Sequence, residues 1–241
     1  LFVSGSAPLL AETHVHFEER TGHRILERYG MTETNMNTSN PYDGERRAGT
    51  VGFPLPGVEI KITDNNTGET VPQGEIGEIE VRGPNVFKGY WQMPEKTAEE
   101  LRPNGFFITG DLGQIDEDGY LHIVGRSKDL IISGGYNIYP REIEIQLERH
   151  PAVSIAAVVS VPDPLFSEVG HAFVLLEDQQ TISEQDLKDF CHDKLANYKV
   201  PKKITVSDQL PMLPIGKVDK VKLKKCAIKQ AQRKTVAPIN C

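Results

Sequence analysis

The spacing of apolar residues changes along this chain, and that change limits what it can fold into. Between Val51 and Arg126 the segments GVEIKITD (57–64), GEIEVRG (77–83) and GYLHIVG (119–125) alternate apolar and polar side chains, as half-buried strands do. Turn residues fill the gaps between them (DNNTGE, VPQGE, DEDG). The pattern predicts a compact antiparallel unit, β-barrel-like and small. After Lys128 the periods mix. PREIEIQLERHP (140–151) reads as a helix stopped by Pro151, whereas SIAAVVSVPD, HAFVLLED and KKITVSD read as strands. SEQDLKDFCHDKL opens on Ser183 with Asp186 three residues on, a variant of the capping box. The tail from Lys220 is basic and reads as a helix. Together these predict an α+β domain of about 110 residues, an ordinary domain size.

Upstream of Val51, AETHVHFEERT (11–21) reads as a helix with Gly22 as its stop. GMTETNMNTSNP (30–41) is polar and contains glycine, and reads as a loop at the end of a strand that leads to Tyr29. The expected organisation is therefore multidomain: residues 1–50 end an α/β region, 51–127 form the β-rich subdomain, and 128–241 form the α+β domain.

Charge and cysteine usage remove several function classes. The chain of 241 residues has a net charge of −7, which argues against a general nucleic-acid binder. Residues 1–127 carry 11 Lys and Arg against 20 Asp and Glu, whereas 199–241 carry 11 against 2. An acidic body with a basic tail points to an anionic partner for the tail, or to a solvated helix face. No run of apolar residues reaches the roughly 18 that a membrane span needs. Cys191, Cys226 and Cys241 are too scattered for a disulfide framework or a zinc site, and a reducing compartment follows. His14 and His16 would point to different faces of their helix, which speaks against a metal site.

Four segments carry chemistry. Tyr29-Gly30-Met31-Thr32-Glu33-Thr34 offers backbone N–H groups and hydroxyls to a phosphate and one carboxylate to a hard cation. In Phe107-Ile108-Thr109-Gly110-Asp111, an Asp after a glycine turn can accept hydrogen bonds from ribose hydroxyls; an Asx-turn is the plain alternative. Gly125-Arg126-Ser127-Lys128 leads to Ser133-Gly134-Gly135-Tyr136, where paired glycines allow close approach to a ligand or form a hairpin turn. Leu213-Pro214-Ile215-Gly216-Lys217 presents a lysine on a shaped loop, which can serve a phosphoryl group.

Each segment alone has an ordinary explanation; their order along one chain does not. The strings SGSAPL, YGMTET, VGFPLPG, GEIEVRGPNVFKGYW, FITGDLG, GRSKDLIISGGYNIYPREIE and LPIGKVDK resemble the adenylate-forming enzymes, the family of acyl-CoA synthetases, luciferases and peptide-synthetase adenylation domains. The likeness runs over essentially the whole chain. The family's Ser/Thr/Gly-rich phosphate loop is absent from it, so the chain is expected to be a C-terminal part that does not complete catalysis alone.

The resemblance implies ATP, Mg²⁺ and coenzyme A as co-substrates and cofactor. By position, Ser6, Ala7, Pro8 and Tyr29 would line the adenine pocket, with Gly30 and Met31 beside the nucleotide. Thr32 would touch the α-phosphate and Glu33 would hold Mg²⁺. Asp111 and Arg126 would hold the ribose. Lys217 would bridge carboxylate and phosphate oxygens, and is a candidate for acetylation. Lys128 matches the hinge of a mobile C-terminal domain, whose rotation would bring Ser133, Gly134, Gly135 and Tyr136 to the channel for the pantetheine arm.

One position departs from the usual pattern. Arg28 stands where the family commonly has Gly before Tyr-Gly-x-Thr-Glu. An arginine bordering the acyl pocket would spoil a fatty-chain site and suit a second carboxylate, with Ser6 adding a hydrogen bond. The alternative is that Arg28 pairs with Glu27 or Glu33. The stretch LERYGMTETNMNTSNPYDGERRAGTVGFPLPGVEIKI also resembles malonyl-CoA synthetases. The expected substrate is malonate or methylmalonate. The alternatives are a CoA ligase for a medium-chain, aryl or oxalate substrate, and a non-catalytic nucleotide-binding module. A cytoplasmic location is expected, with any organelle address upstream.

Overall fold

The computed structural model describes residues 1–6, 9–214 and 216–232. The chain divides into two compact units, residues 1–127 and 128–241.

The first unit contains two sheets. In one, β1 (Val3–Ser4) runs parallel to β2 (Leu26–Met31), joined through α1 (Ala11–Thr21). β3 (Asn35–Ser39) and β4 (Phe53–Pro54) complete the order β1-β2-β3-β4. α1 ends as its sequence implies. Gly22 adopts φ 71° and donates its N–H to the Glu18 carbonyl, a left-handed C-terminal cap. The segment expected to be a loop after Tyr29 is instead a β-hairpin. β3 pairs antiparallel with β2, and a Cβ on Gly30 would fall 2.0 Å from the Asn35 carbonyl oxygen. The side chains that β3 and its turn bury are Thr34, Asn37 and Thr38, so apolar periodicity carries no trace of the strand.

The second sheet holds β5 (Glu59–Thr63), β6 (Gly77–Arg82), β7 (Phe107–Ile115) and β8 (Leu121–Arg126) in that order, all antiparallel. A short helix, α2 (Pro94–Glu100), precedes β7. Among the described residues β5 and β8 do not pair, so the sheet is open; the expected barrel does not close. Ile62, Ile79, Val81 and Leu121 form its core together with Tyr29 from β2.

β6 also departs from half-burial: both of its faces are covered, and Glu78 and Glu80 are buried with its apolar residues. Glu80 lies within 3.0 Å of Lys61 and 2.7 Å of Arg102, and accepts from the Thr63 hydroxyl at 2.9 Å. Burial alone would raise its carboxyl, but the contacts from Arg102, Lys61 and Thr63 overcome that and hold it below the usual range.

In the second unit β9 (Ile131–Ser133) and β10 (Tyr136–Ile138) form a hairpin. The long strands β11 (Val153–Asp163) and β12 (Ser167–Leu176) pair antiparallel, and β12 takes β9 and the parallel β13 (Lys203–Val206) along its other edge. Helices α3 (Pro140–Glu148), α4 (Glu184–His192) and α5 (Lys220–Gln232) cover the sheet. Successive strand residues face opposite ways. Ala156 and Val158 accordingly pack with Ile143, Leu147 and Leu187 of α3 and α4, whereas Ala157 and Val159 pack with Leu223 and Ala227 of α5. The capping box of α4 forms: Ser183 Oγ accepts the Asp186 N–H at 3.1 Å, and Asp186 accepts the Ser183 N–H. Burial raises the Cys191 thiol to about 11, which leaves it a small apolar residue of this core. Among the described residues no helix is long and apolar enough to cross a membrane.

Candidate active site

The site in the first unit begins with the ladder between β7 and β8. Gly110 sits at φ 73°, a left-handed conformation suited to glycine. Next to it, the Thr109 hydroxyl donates to the Ile79 carbonyl at 2.8 Å and accepts the Asp111 N–H at 3.1 Å, which fixes where Asp111 points. The ladder sets Asp111 opposite Arg126, and Arg126 Nε reaches Asp111 Oδ1 at 2.8 Å. From β2, the Tyr29 hydroxyl donates to Asp111 Oδ2 at 2.6 Å. Burial, then the Asp111 charge and hydrogen bond, push the Tyr29 phenol up, so it stays a donor. Each oxygen of Asp111 thus has a donor.

The β2–β3 turn carries the next two residues. Thr34 N–H bonds to the Met31 carbonyl and closes the turn, leaving Thr32 exposed and Glu33 partly exposed. A loop from the far side of β6 steadies the turn. Phe87 N–H donates to the Glu33 carbonyl at 2.8 Å, and Asn85 Nδ2 donates to the Thr34 carbonyl at 2.6 Å. The Tyr90 hydroxyl lies 3.1 Å from Glu33 Oε1 and 2.6 Å from Glu100 Oε2, so two carboxylates share one proton donor. Glu100 has Lys96 at 2.6 Å; among the described residues no cation pairs with Glu33. Burial, then the two carboxylates, push the Tyr90 phenol up.

Arg28 lies on β2 between Glu27 and Tyr29. Both neighbours are buried and Arg28 is exposed, as alternation along a strand requires. It pairs with neither glutamate: Glu27 binds His14 Nδ1 at 3.0 Å, and Glu33 binds Tyr90. Its Cγ lies beside Gly5, where an added Cβ would meet it at 3.5 Å. Among the described residues no ion pair engages its guanidinium. Ser6 is exposed in a left-handed conformation at φ 67°. Ala7 and Pro8 lie outside the described residues.

The remaining expected residues belong to the second unit. Gly134 and Gly135 take φ 55° and 85°, two consecutive positive values, and turn the β9–β10 hairpin with Ser133 opposite Tyr136. The Gly134 N–H bonds to the Phe166 carbonyl at 2.8 Å, and the Tyr136 ring stacks on Tyr198 with centroids 4.6 Å apart. Lys128 lies in a single 3₁₀ turn, Ser127–Asp129. Lys217 is exposed on a tight turn before α5, where Leu213 N–H bonds to the Lys217 carbonyl at 2.7 Å.

The first unit thus joins Tyr29, Asp111 and Arg126 in direct contact and carries Thr32 and Glu33 on the turn that follows Tyr29. Sequence reasoning missed Tyr90, Asn85, Thr109 and Glu78. Tyr90, Asn85 and Glu78 lie in the quoted GEIEVRGPNVFKGYW string, and Thr109 in FITGDLG, but their partners are remote in sequence. Among the described residues no three His, Cys, Asp or Glu gather as a metal site. A hard cation would therefore rest on the uncompensated Glu33 with phosphate and water oxygens, a donor set that suits Mg²⁺.

Comparison with known proteins gives the family. The AMP-binding enzyme family matches residues 1–91, and its C-terminal domain matches residues 142–217. The chain belongs to the AMP-binding enzyme family. Malonate–CoA ligase of Arabidopsis thaliana is 43% identical over 236 residues, covering 93% of this chain and 38% of that protein. Long-chain-fatty-acid–CoA ligase of Bacillus subtilis strain 168 is 42% identical over 217 residues, covering 90% of this chain and 39% of that one. The ATP-bound crystal structure of MatB from Rhodopseudomonas palustris superimposes with a TM-score of 0.90 at 55% identity, covering 94% of this chain and 45% of that chain. The chain therefore spans about two fifths of the length of these relatives.

Proposed function

We propose that this chain is the nucleotide-handling C-terminal part of an acid–thiol ligase that adenylates malonate, and accepts methylmalonate, before transfer to coenzyme A. The observation that carries the substrate is Arg28. It is an exposed guanidinium beside the nucleotide residues, and both nearby carboxylates already have other partners. A guanidinium binds a carboxylate in bidentate fashion, so it would anchor the distal carboxylate of a short diacid, with Ser6 assisting.

In adenylation the acid's other carboxylate attacks the α-phosphorus of ATP, forming acyl-AMP and releasing pyrophosphate. Asp111 and Arg126 hold the ribose hydroxyls. Tyr29 lends an edge to the adenine pocket while it fixes Asp111. Thr32 donates its hydroxyl to the α-phosphate. Glu33 would hold Mg²⁺, which supplies charge neutralisation at the phosphates. Lys217 brings an ammonium to the oxygens that gain charge in the transition state, and removing such a group typically costs about 10²–10³ in rate. In the thioester step the chain turns at Lys128, and the Gly134–Gly135 turn, flanked by Ser133 and Tyr136, lines the path of the coenzyme A thiol. Acetylation of Lys217 would remove the charge and stop the first step.

The long-chain relative is as similar as the malonate ligase, so a fatty acid is the competing substrate. The test is pyrophosphate release by the protein extended to the length of its relatives, with malonate, methylmalonate, oxalate, octanoate and coumarate. Malonate should lead, and methylmalonate should follow within about 1–3 kcal/mol, the discrimination one methyl allows. Preference for octanoate would refute the role given to Arg28. No pyrophosphate release with any acid would favour a non-catalytic nucleotide-binding module.

A further inference from the structure

The two residues that close the first unit are each held by a buried carboxylate. Arg126, the last residue of β8, pairs with Asp111. Ser127, the next residue, donates its hydroxyl to Glu78 Oε2 in a short contact. Glu78 is 7% exposed and lies on β6 opposite Leu112, one position along β7 from Asp111. No cation pairs with it among the described residues. Two buried carboxylates so close repel each other, and a buried charge without a cation is costly. Burial and the nearby Asp111 and Glu80 charges work against ionisation of Glu78; the Ser127 hydroxyl and the Gly110 N–H work for it. The fold needs no acid there, because an amide would also accept the Ser127 hydrogen bond. None of the adenylation roles uses Glu78 either. Among the described residues its one side-chain partner is Ser127, and the second unit begins at the next residue.

We propose that Glu78 is a positioning residue that fixes the point from which the second unit departs: with Ser127 fastened to it, the chain turns at Lys128 while Arg126 stays on Asp111. This deepens the ligase reading and rests on it for the role of Lys128. The fastening would let the second unit rotate between half-reactions without disturbing the ribose contacts.

The bonds after Arg126 and Lys128 are trypsin sites that flank Ser127. The 241-residue chain and its Ser127→Ala, Ser127→Thr and Glu78→Gln variants would be digested without nucleotide, and cleavage at those two bonds timed against cleavage elsewhere. Ser127→Ala should be cut there about tenfold faster, the factor that loss of one hydrogen bond worth about 1.4 kcal/mol brings. Ser127→Thr, which keeps the hydroxyl, should restore the original rate, and Glu78→Gln should fall between. Equal rates for Ser127→Ala and the unaltered chain would overturn the proposal, as would equal rates for Ser127→Ala and Ser127→Thr. A fall in first-unit melting temperature for Ser127→Ala as large as that for Leu121→Ala would also overturn it, because the bond would then be a general fold contact. The digestion contains no nucleotide, so its outcome stands apart from the fate of the ligase reading.

Discussion

The two units bury their carboxylates differently: among the described residues the second buries Glu144, paired with Lys220 at 2.6 Å, and the first buries four. The second is layered: α3 and α4 pack apolar side chains on one face of its sheet and α5 on the other. The first buries Glu27, Glu78, Glu80 and Asp111 within or beside its sheets. Of these only Glu80 is fully compensated, by Lys61 and Arg102. Asp111 shares one arginine and a phenol, and at the hairpin turn Glu33 shares a phenol with Glu100. The contrast separates a carboxylate held by two cations from carboxylates held mainly by hydroxyls and a single cationic or imidazole partner.

Breaking the compensated carboxylate should have the largest effect. Replacing Arg102 with Met leaves the buried Glu80 with Lys61 as its remaining cation and should destabilise the first unit by about 3 kcal/mol, read from urea unfolding. The same change at Arg126 leaves Asp111 its Tyr29 hydrogen bond and should weaken nucleotide binding as well as stability. If nucleotide binding is unchanged in Arg126→Met, or falls as much in Arg102→Met, the distinction between the two carboxylates fails.

Lys217→Ala should lower adenylation by about 10²–10³ in the extended protein while sparing thioester formation from supplied acyl-AMP. Pyrophosphate exchange and thiol consumption measure the two steps separately, and equal loss in both would deny the second unit its separate role. Arg28→Ala should cost about 1.5–3 kcal/mol of kcat/KM for malonate, the worth of a hydrogen bond to a charge, with little change for octanoate. A parallel loss for both acids would assign Arg28 to folding.

The smallest expected effect depends on pH. His171 is buried, stacks on Phe173 and bonds to Thr205, and burial, helped by the Lys203 charge, lowers its pKa to about 4. Its folded value lies below its unfolded one, so the unfolded chain binds the extra proton. The second unit should therefore lose stability as pH falls from about 6.5 towards 4, by about 1–2 kcal/mol between pH 7 and pH 5. Unfolding of the unaltered chain and of His171→Gln at the two pH values checks this; the variant should lack that component.

Local features were legible because their causes are local. Gly22 ends α1, Ser183 caps α4, and the paired glycines turn β9 into β10, each through backbone geometry set by a few adjacent residues. β3 was not legible, since Asn37 and Thr38 are polar yet buried, held by a hairpin that only Gly30 can enter so closely. The alternation in β6 was legible as a strand but not as a central one. Both of its faces are covered by residues from other strands and loops, and Glu80 is tolerated only because Lys61 and Arg102 converge on it.

The candidate site divides the same way. The order of its motifs and the chemistry of Thr32, Glu33, Asp111, Arg126 and Lys217 stand in the sequence, because residue type sets what a side chain can donate or accept. Tertiary structure decided the contacts: Tyr29 on Asp111 across 82 positions, Tyr90 on Glu33 across 57, and Ser127 on Glu78 across 49. Such pairings depend on strand register and on which layers meet. Those are set by many weak burial terms summed over the unit, and no short stretch of sequence contains that sum.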